Sequence, residues 1–169
     1  MKKLREKAWV RWTMDLSIFA LIFLAIMAFQ TRHLIDSGEE APDFELRTVD
    51  GAVVTLSDLQ GKPTVLYFWA PWCGVCKVQS PAISSLHRNR GDDVNVYGVV
   101  VDYGSVEELE AYIEREEIDY PVLLGTWEVA GYFRVESFPT LYFLNEDGEI
   151  RRNVIGYTTG LGLRARLLF

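Results

Sequence analysis

Cys73 and Cys76 stand two residues apart in Trp69-Ala70-Pro71-Trp72-Cys73-Gly74-Val75-Cys76-Lys77, and the chain holds no other cysteine. Two thiols at this spacing can exchange with a disulfide. One attacks as thiolate, and the second reaches back to displace the mixed disulfide that forms. A strand-like run, residues 64–69, precedes the pair, and a helix-compatible run from Lys77 to Arg90 follows. Both sulfurs therefore fall at a strand-to-helix junction. The first N–H groups of a helix lack intrahelical partners and carry partial positive charge. A sulfur held beside them is favoured as thiolate, the nucleophilic form. Dithiol/disulfide exchange is the chemistry these residues point to.

Three other uses of the pair fit less well. A closed zinc site needs two further Cys or His ligands. Only His33 and His87 are on offer, and His33 lies beside the apolar N-terminal segment. A purely structural bridge over so short a loop removes little entropy from the unfolded chain. A Cu(I) module, using soft thiolates, is the alternative from a binding class. Yet Met1, Met14 and Met27 all lie in the N-terminal segment, and no His/Met-rich tract exists. No metal and no cofactor is expected.

The 169 residues suit one domain plus an appendage. Residues 1–35 hold six basic and two acidic side chains, a net of +4, which leaves −11 on the remainder of a chain whose total is −7. So acidic a body argues against nucleic acid as a partner. Leu16 to Phe29 is apolar except for Ser17, flanked by Trp9, Trp12, Gln30 and Thr31. The aromatic flanks suit a membrane interface, and Arg11 and Asp15 are spaced to pair on one helix face. The residues before Phe29 do not form a cleavage site of small residues, so an uncleaved span is expected over residues 13–31. Basic residues precede the span, which puts residues 1–12 in the cytoplasm and the rest across the membrane. In a Gram-negative host that compartment is the periplasm, where disulfides persist. The expectation is a single-pass protein of the inner membrane, with a tether over 32–40 and a periplasmic domain over 41–169.

The body alternates strands and helices. Residues 44–46 and 53–56 flank Asp50-Gly51, the pattern of a hairpin turn. The run at 64–69 is apolar on both faces, as in a central strand covered on both sides. Pro81 should bend the helix after Cys76, because it cannot donate an N–H. Val94 to Val101 reads as a second buried strand. Ser105 and Glu108 form a capping-box pattern opening a helix to about Glu116. A short extended run, 121–124, and a helical turn, 126–133, follow. Strands at 141–144 and 150–156 are joined through Glu146-Asp147-Gly148-Glu149, and a helix over 161–169 closes the chain. This order predicts an α/β fold with a mixed central sheet flanked by helices on both faces.

Several features coincide here: Trp-Cys-Gly-Val-Cys-Lys after an apolar strand, Pro81 five residues beyond the second cysteine, and Phe138-Pro139-Thr140 before a late strand. Together they resemble thioredoxin. The leader 41–44, the hairpin at Asp50-Gly51, Leu59-Gln60-Gly61-Lys62-Pro63 and the extra segment 104–124 resemble the membrane-anchored TlpA/ResA-type branch. Length, anchor and the Gly-Val spacer are similar to its suppressor-of-copper-sensitivity D group. The resemblance covers residues 41–160. It implies a thioredoxin fold with an N-terminal β-hairpin and a strand/helix insertion, plus the transmembrane helix. It also implies that Cys73 is an exposed attacking thiol, Cys76 a more buried resolving one, and Pro139 a cis proline facing them. Trp72, Gly74, Val75 and Phe138 would support the site and bind substrate. Partners would be periplasmic clients with cysteines, reduced through the pair, and a membrane electron donor. The same exchange run backwards would make an oxidase.

Two positions depart from the pattern. Thioredoxins usually carry a buried acid six residues before the first cysteine, where this chain has Tyr67. Cytochrome-maturation members often carry Glu three residues after the second, where it has Gln79. Neither supplies a titrating carboxylate, which leaves proton handling to water, Lys77 or an acid elsewhere. As ordinary residues, Tyr67 would be core and Gln79 helix surface.

Overall fold

The computed structural model describes residues 12, 14, 16–22, 37–90 and 92–168. The chain divides into two units, Met1–His33 and Leu34–Phe169. In the first, residues 16–22 are helical, with exposed Leu16, Phe19 and Leu21. No helix among the described residues is long and apolar enough to cross a membrane. Much of the expected span, the Arg11–Asp15 pair, His33 and half of the tether lie outside the described residues.

The second unit opens with a hairpin, β1 (Glu45–Arg47) and β2 (Val53–Thr55), paired antiparallel with Leu46 opposite Val54. Gly51 turns it at φ +91°, a conformation that L side chains rarely adopt. A short 3-10 helix (Leu56–Leu59) follows, capped by Thr55 and Asp58. Next come β3 (Thr64–Trp69), α1 (Gly74–Arg90), β4 (Asn95–Val100), α2 (Val106–Arg115) and β5 (Val122–Leu124). The chain ends with α3 (Trp127–Tyr132), β6 (Thr140–Leu144), β7 (Ile150–Ile155) and α4 (Gly160–Leu168). The expected elements are present, with ends shifted by one to three residues. The capping box at Ser105 and Glu108 is closed in both directions, and Pro81 sits within α1.

Five strands form a mixed sheet in the order β5-β4-β3-β6-β7. β3 runs parallel to β4 and antiparallel to β6, so it lies at the centre, and all six of its residues are buried. Its alternation divides them between two cores. Val65, Tyr67 and Trp69 join Cys76, Ile83, Leu109, Tyr112 and Leu163 on one face. Leu66 and Phe68 join Phe44, Leu46, Ala130, Phe133 and Tyr142 on the other. Helices α1, α2 and α4 thus cover one side, and α3 with the hairpin covers the other. The hairpin is fastened to the sheet edge, where Val49 N–H donates to Val122 O at 3.1 Å. The architecture is the one the alternation of elements predicts. Its central strand delivers the chain directly into the cysteine pair.

Candidate active site

Trp69 ends β3, and a turn brings Cys73 N–H back to Ala70 O at 3.1 Å. Cys73 then caps α1. Its carbonyl accepts the first helical bond, from Lys77 N–H at 3.1 Å, and its Sγ accepts from Cys76 N–H, also at 3.1 Å. The sulfur therefore occupies the place a Ser or Asp oxygen usually takes at a helix start. The two sulfurs are bonded, at 2.15 Å, with the Cα atoms 5.2 Å apart. Cys76 is the more buried of the two, as the resemblance implies, but Cys73 is not as open as it implies. Cys73 is only 7% exposed, against 1% for Cys76. The capping geometry turns Cys73 Sγ back over the helix end, so the exposed thiol expected there is instead a largely covered sulfur.

The Phe138–Pro139 peptide bond is cis. Thr140 pairs with Phe68, and that register carries Pro139 to the end of β3 that leads into the cysteines. The Pro139 carbonyl is occupied by Gly156 N–H at 2.7 Å. Around this end, three aromatic rings cluster, centred on Phe138. Trp72, 64% exposed, meets Phe138 edge-on at 5.9 Å between centroids, and Trp127, 59% exposed, also packs on Phe138, tilted, at 6.0 Å. Trp72 is held, because its Nε1–H donates to Asp102 Oδ2 at 2.9 Å. Asp102 itself adopts φ +57°. Gly74 begins α1 with open space where a Cβ would stand, and Val75 faces solvent.

Residues 37–153 match the model of the AhpC/TSA family. The chain belongs to the AhpC/TSA family. It is 33% identical over 137 residues to the thioredoxin-like protein YneN of Bacillus subtilis, covering 79% of each chain. It is 31% identical over 166 residues to the thiol-disulfide oxidoreductase ResA of Oceanobacillus iheyensis, covering 94% of this chain and 86% of the relative. Among solved structures it matches the pneumococcal exposed lipoprotein thioredoxin Etrx1 of Streptococcus pneumoniae with a TM-score of 0.64 and 30% identity, over 75% of this chain and 98% of that one. The fold is thioredoxin-like, and the protein is a thiol-disulfide oxidoreductase.

In this AhpC/TSA member the two departing positions lie inside the site. Tyr67 is fully buried, and its hydroxyl donates to the Cys76 carbonyl at 2.9 Å. Burial, then the neighbouring Tyr120 and Tyr112, push its hydroxyl far above the ordinary phenol range, so it stays protonated and cannot act as a base. Gln79 is not on the helix surface, as expected of an ordinary residue there, but completely buried. It falls on the stripe that includes Cys76, Ser80 and Ile83, which α1 turns toward the sheet. Its Oε1 accepts from Thr158 N–H at 2.7 Å, which ties α1 to the loop entering α4. Lys77 is engaged with Glu116 at 2.8 Å, out on the surface.

Sequence reasoning missed Trp127, Asp102 and Thr158. Trp127 had a usable signal, as a large aromatic residue at the start of a short helix capped by Thr126. The other two acquire their roles only through contacts across 30 and 79 residues. Among the described residues no group of three His, Cys, Asp or Glu side chains is arranged to hold a metal ion.

Proposed function

We propose that this oxidoreductase is a membrane-anchored reductase that acts on disulfides of client proteins outside the cytoplasm, through Cys73 and Cys76. One observation carries the reading. Cys73 Sγ sits at the N-terminus of α1, accepting the Cys76 N–H, with its bonding partner one helical turn away. In the reduced protein that N–H and the helix end favour the Cys73 thiolate. The thiolate attacks one sulfur of the client disulfide. A Cys73–client bond forms, and the other client sulfur leaves as thiolate and takes up a proton. Cys76 then loses its proton and attacks Cys73 Sγ, forming the Cys73–Cys76 bond and releasing the second client sulfur. The client gains two electrons and two protons, which a membrane electron donor must return to the pair.

Placement outside the cytoplasm is supported by the apolar run 16–29 behind a basic N-terminus. The pneumococcal relative, an exposed lipoprotein thioredoxin, agrees with it. Anchoring on the inner membrane would keep the site close to its donor and raise its effective concentration there. A place in copper tolerance rests on chain length, the anchor and the Gly74-Val75 spacer.

Trapping tests the cycle. Cys76→Ala should accumulate covalent client adducts that thiol reductants release, and Cys73→Ala should not. Adducts with neither variant contradict it. Direction is read from the redox state of the pair in cells: mostly reduced supports the reductase, mostly oxidised makes the protein an oxidase. Stoichiometric Cu(I) retention without reductase activity would make it a metal-binding module.

A further inference from the structure

Gln79 Nε2 is a buried donor with no hydrogen-bond partner among the described residues. Its orientation is fixed from the other end. Thr158 N–H can only donate, so the amide oxygen must face it, at 2.7 Å, and the NH2 group must face away. A buried donor left unpaired is destabilising, and folded proteins rarely retain one without a use. Gln79 lies three residues after Cys76 on the buried stripe of α1. Residues at that spacing are neighbours on a helix surface, and long helical side chains lean toward the N-terminal turn. That general lean directs the amide end of Gln79 to the side of α1 that carries Cys76, a residue 1% exposed.

We infer that Gln79 is a positioning residue for the resolving sulfur: its Nε2–H group hydrogen-bonds Cys76 Sγ when the disulfide is reduced. The inference rests on the dithiol-exchange reading above. In the disulfide, Cys76 Sγ is a weak acceptor and the amide goes unpaired. Reduction frees that sulfur from the S–S bond as a thiol that can turn to accept from the waiting donor. The side chain thus stabilises the reduced form over the oxidised one. It does so without titrating, as a carboxylate at the same place would. The bond to Thr158 is separate from this effect, since it involves the other end of the amide.

The test is the equilibrium protein disulfide + 2 glutathione ⇌ protein dithiol + glutathione disulfide, measured for the full chain and for Gln79→Met, which keeps the length and removes the donor. Losing the Thr158 bond weakens both redox forms alike and cancels in this equilibrium. The expected result is a shift of about threefold toward the disulfide, as for one neutral hydrogen bond. Gln79→Ala should shift in the same direction, so the result does not hang on how Met packs. Unchanged constants in both variants, or a shift toward the dithiol, overturn the role of Gln79. If the wild-type chain fails to equilibrate with glutathione at all, the exchange reading itself fails.

Discussion

The backbone N–H of Cys76 donates to Cys73 Sγ at 3.1 Å, across the first turn of α1. Cys76 therefore contributes to the site twice. Its sulfur closes the disulfide, and its backbone amide hydrogen-bonds the sulfur that bears charge in the proposed cycle. Because the amide belongs to the backbone, replacing the Cys76 side chain leaves that donor in place. This is why Cys76→Ala should remain reactive enough to trap clients.

Tyr67 holds the same turn from beneath. Pro81 cannot donate to the Lys77 carbonyl, so the helical ladder is open one turn past the pair. The Tyr67 hydroxyl bonds the adjacent carbonyl, Cys76 O, at 2.9 Å. Tyr67→Phe should cost about 1 kcal/mol in denaturant unfolding of the oxidised protein. Since the phenol stays protonated throughout, the pH dependence of exchange should not change. A new inflection in that profile on substitution would show that Tyr67 takes part in proton transfer.

The aromatic cluster should bind client chain beside the disulfide. Trp72 is held by Asp102, and Phe138 packs against both Trp72 and Trp127. Partly exposed rings already fixed in position lose little entropy on binding. Trp127→Ala should raise KM for a protein disulfide by roughly tenfold, the effect of a typical hot-spot aromatic, and leave exchange with glutathione unaffected. Asp102→Ala should act in the same direction by freeing the Trp72 ring. Equal loss with glutathione and with a protein substrate would place the defect in the chemistry instead.

How far these features could be read beforehand depends on how local their causes are. The Asp50-Gly51 hairpin, the Ser105–Glu108 capping box and the strand-to-helix setting of the cysteines follow from neighbours a few residues apart, and all are present. The two-sided burial of β3 was equally plain in its apolar run. The cis bond before Pro139 came only through resemblance, since nothing in Phe-Pro-Thr itself fixes an isomer. The burial of Gln79 was not legible, because a polar residue on a helix is ordinarily exposed. Only the approach of the Thr158 loop gives its amide a buried partner. The covering of Cys73 was missed for a related reason, as the direction of its side chain is decided by the cap it forms.

Stability should carry a pH signature from the 3-10 helix. The Asp58 carboxyl is held below its ordinary value by the Thr55 hydroxyl first and the Thr55 backbone N–H second. A lowered folded-state value stabilises the fold above the ordinary carboxylate range, and that contribution fades as pH falls through the lowered value. Asp58→Asn should therefore melt at a lower temperature than wild type near neutral pH. The gap should narrow as pH drops below about 4. A gap that stays constant with pH would mean the capping contribution does not depend on the charge.

The most direct test of the account is competitive alkylation of the reduced protein with limiting iodoacetamide at neutral pH, with the labelled cysteine located by mass spectrometry. The helix-end donor at Cys73 Sγ predicts that Cys73 is labelled first, about tenfold faster than a free cysteine, while Cys76 stays protected. Preferential labelling of Cys76, or labelling of Cys73 no faster than the free amino acid, would contradict it.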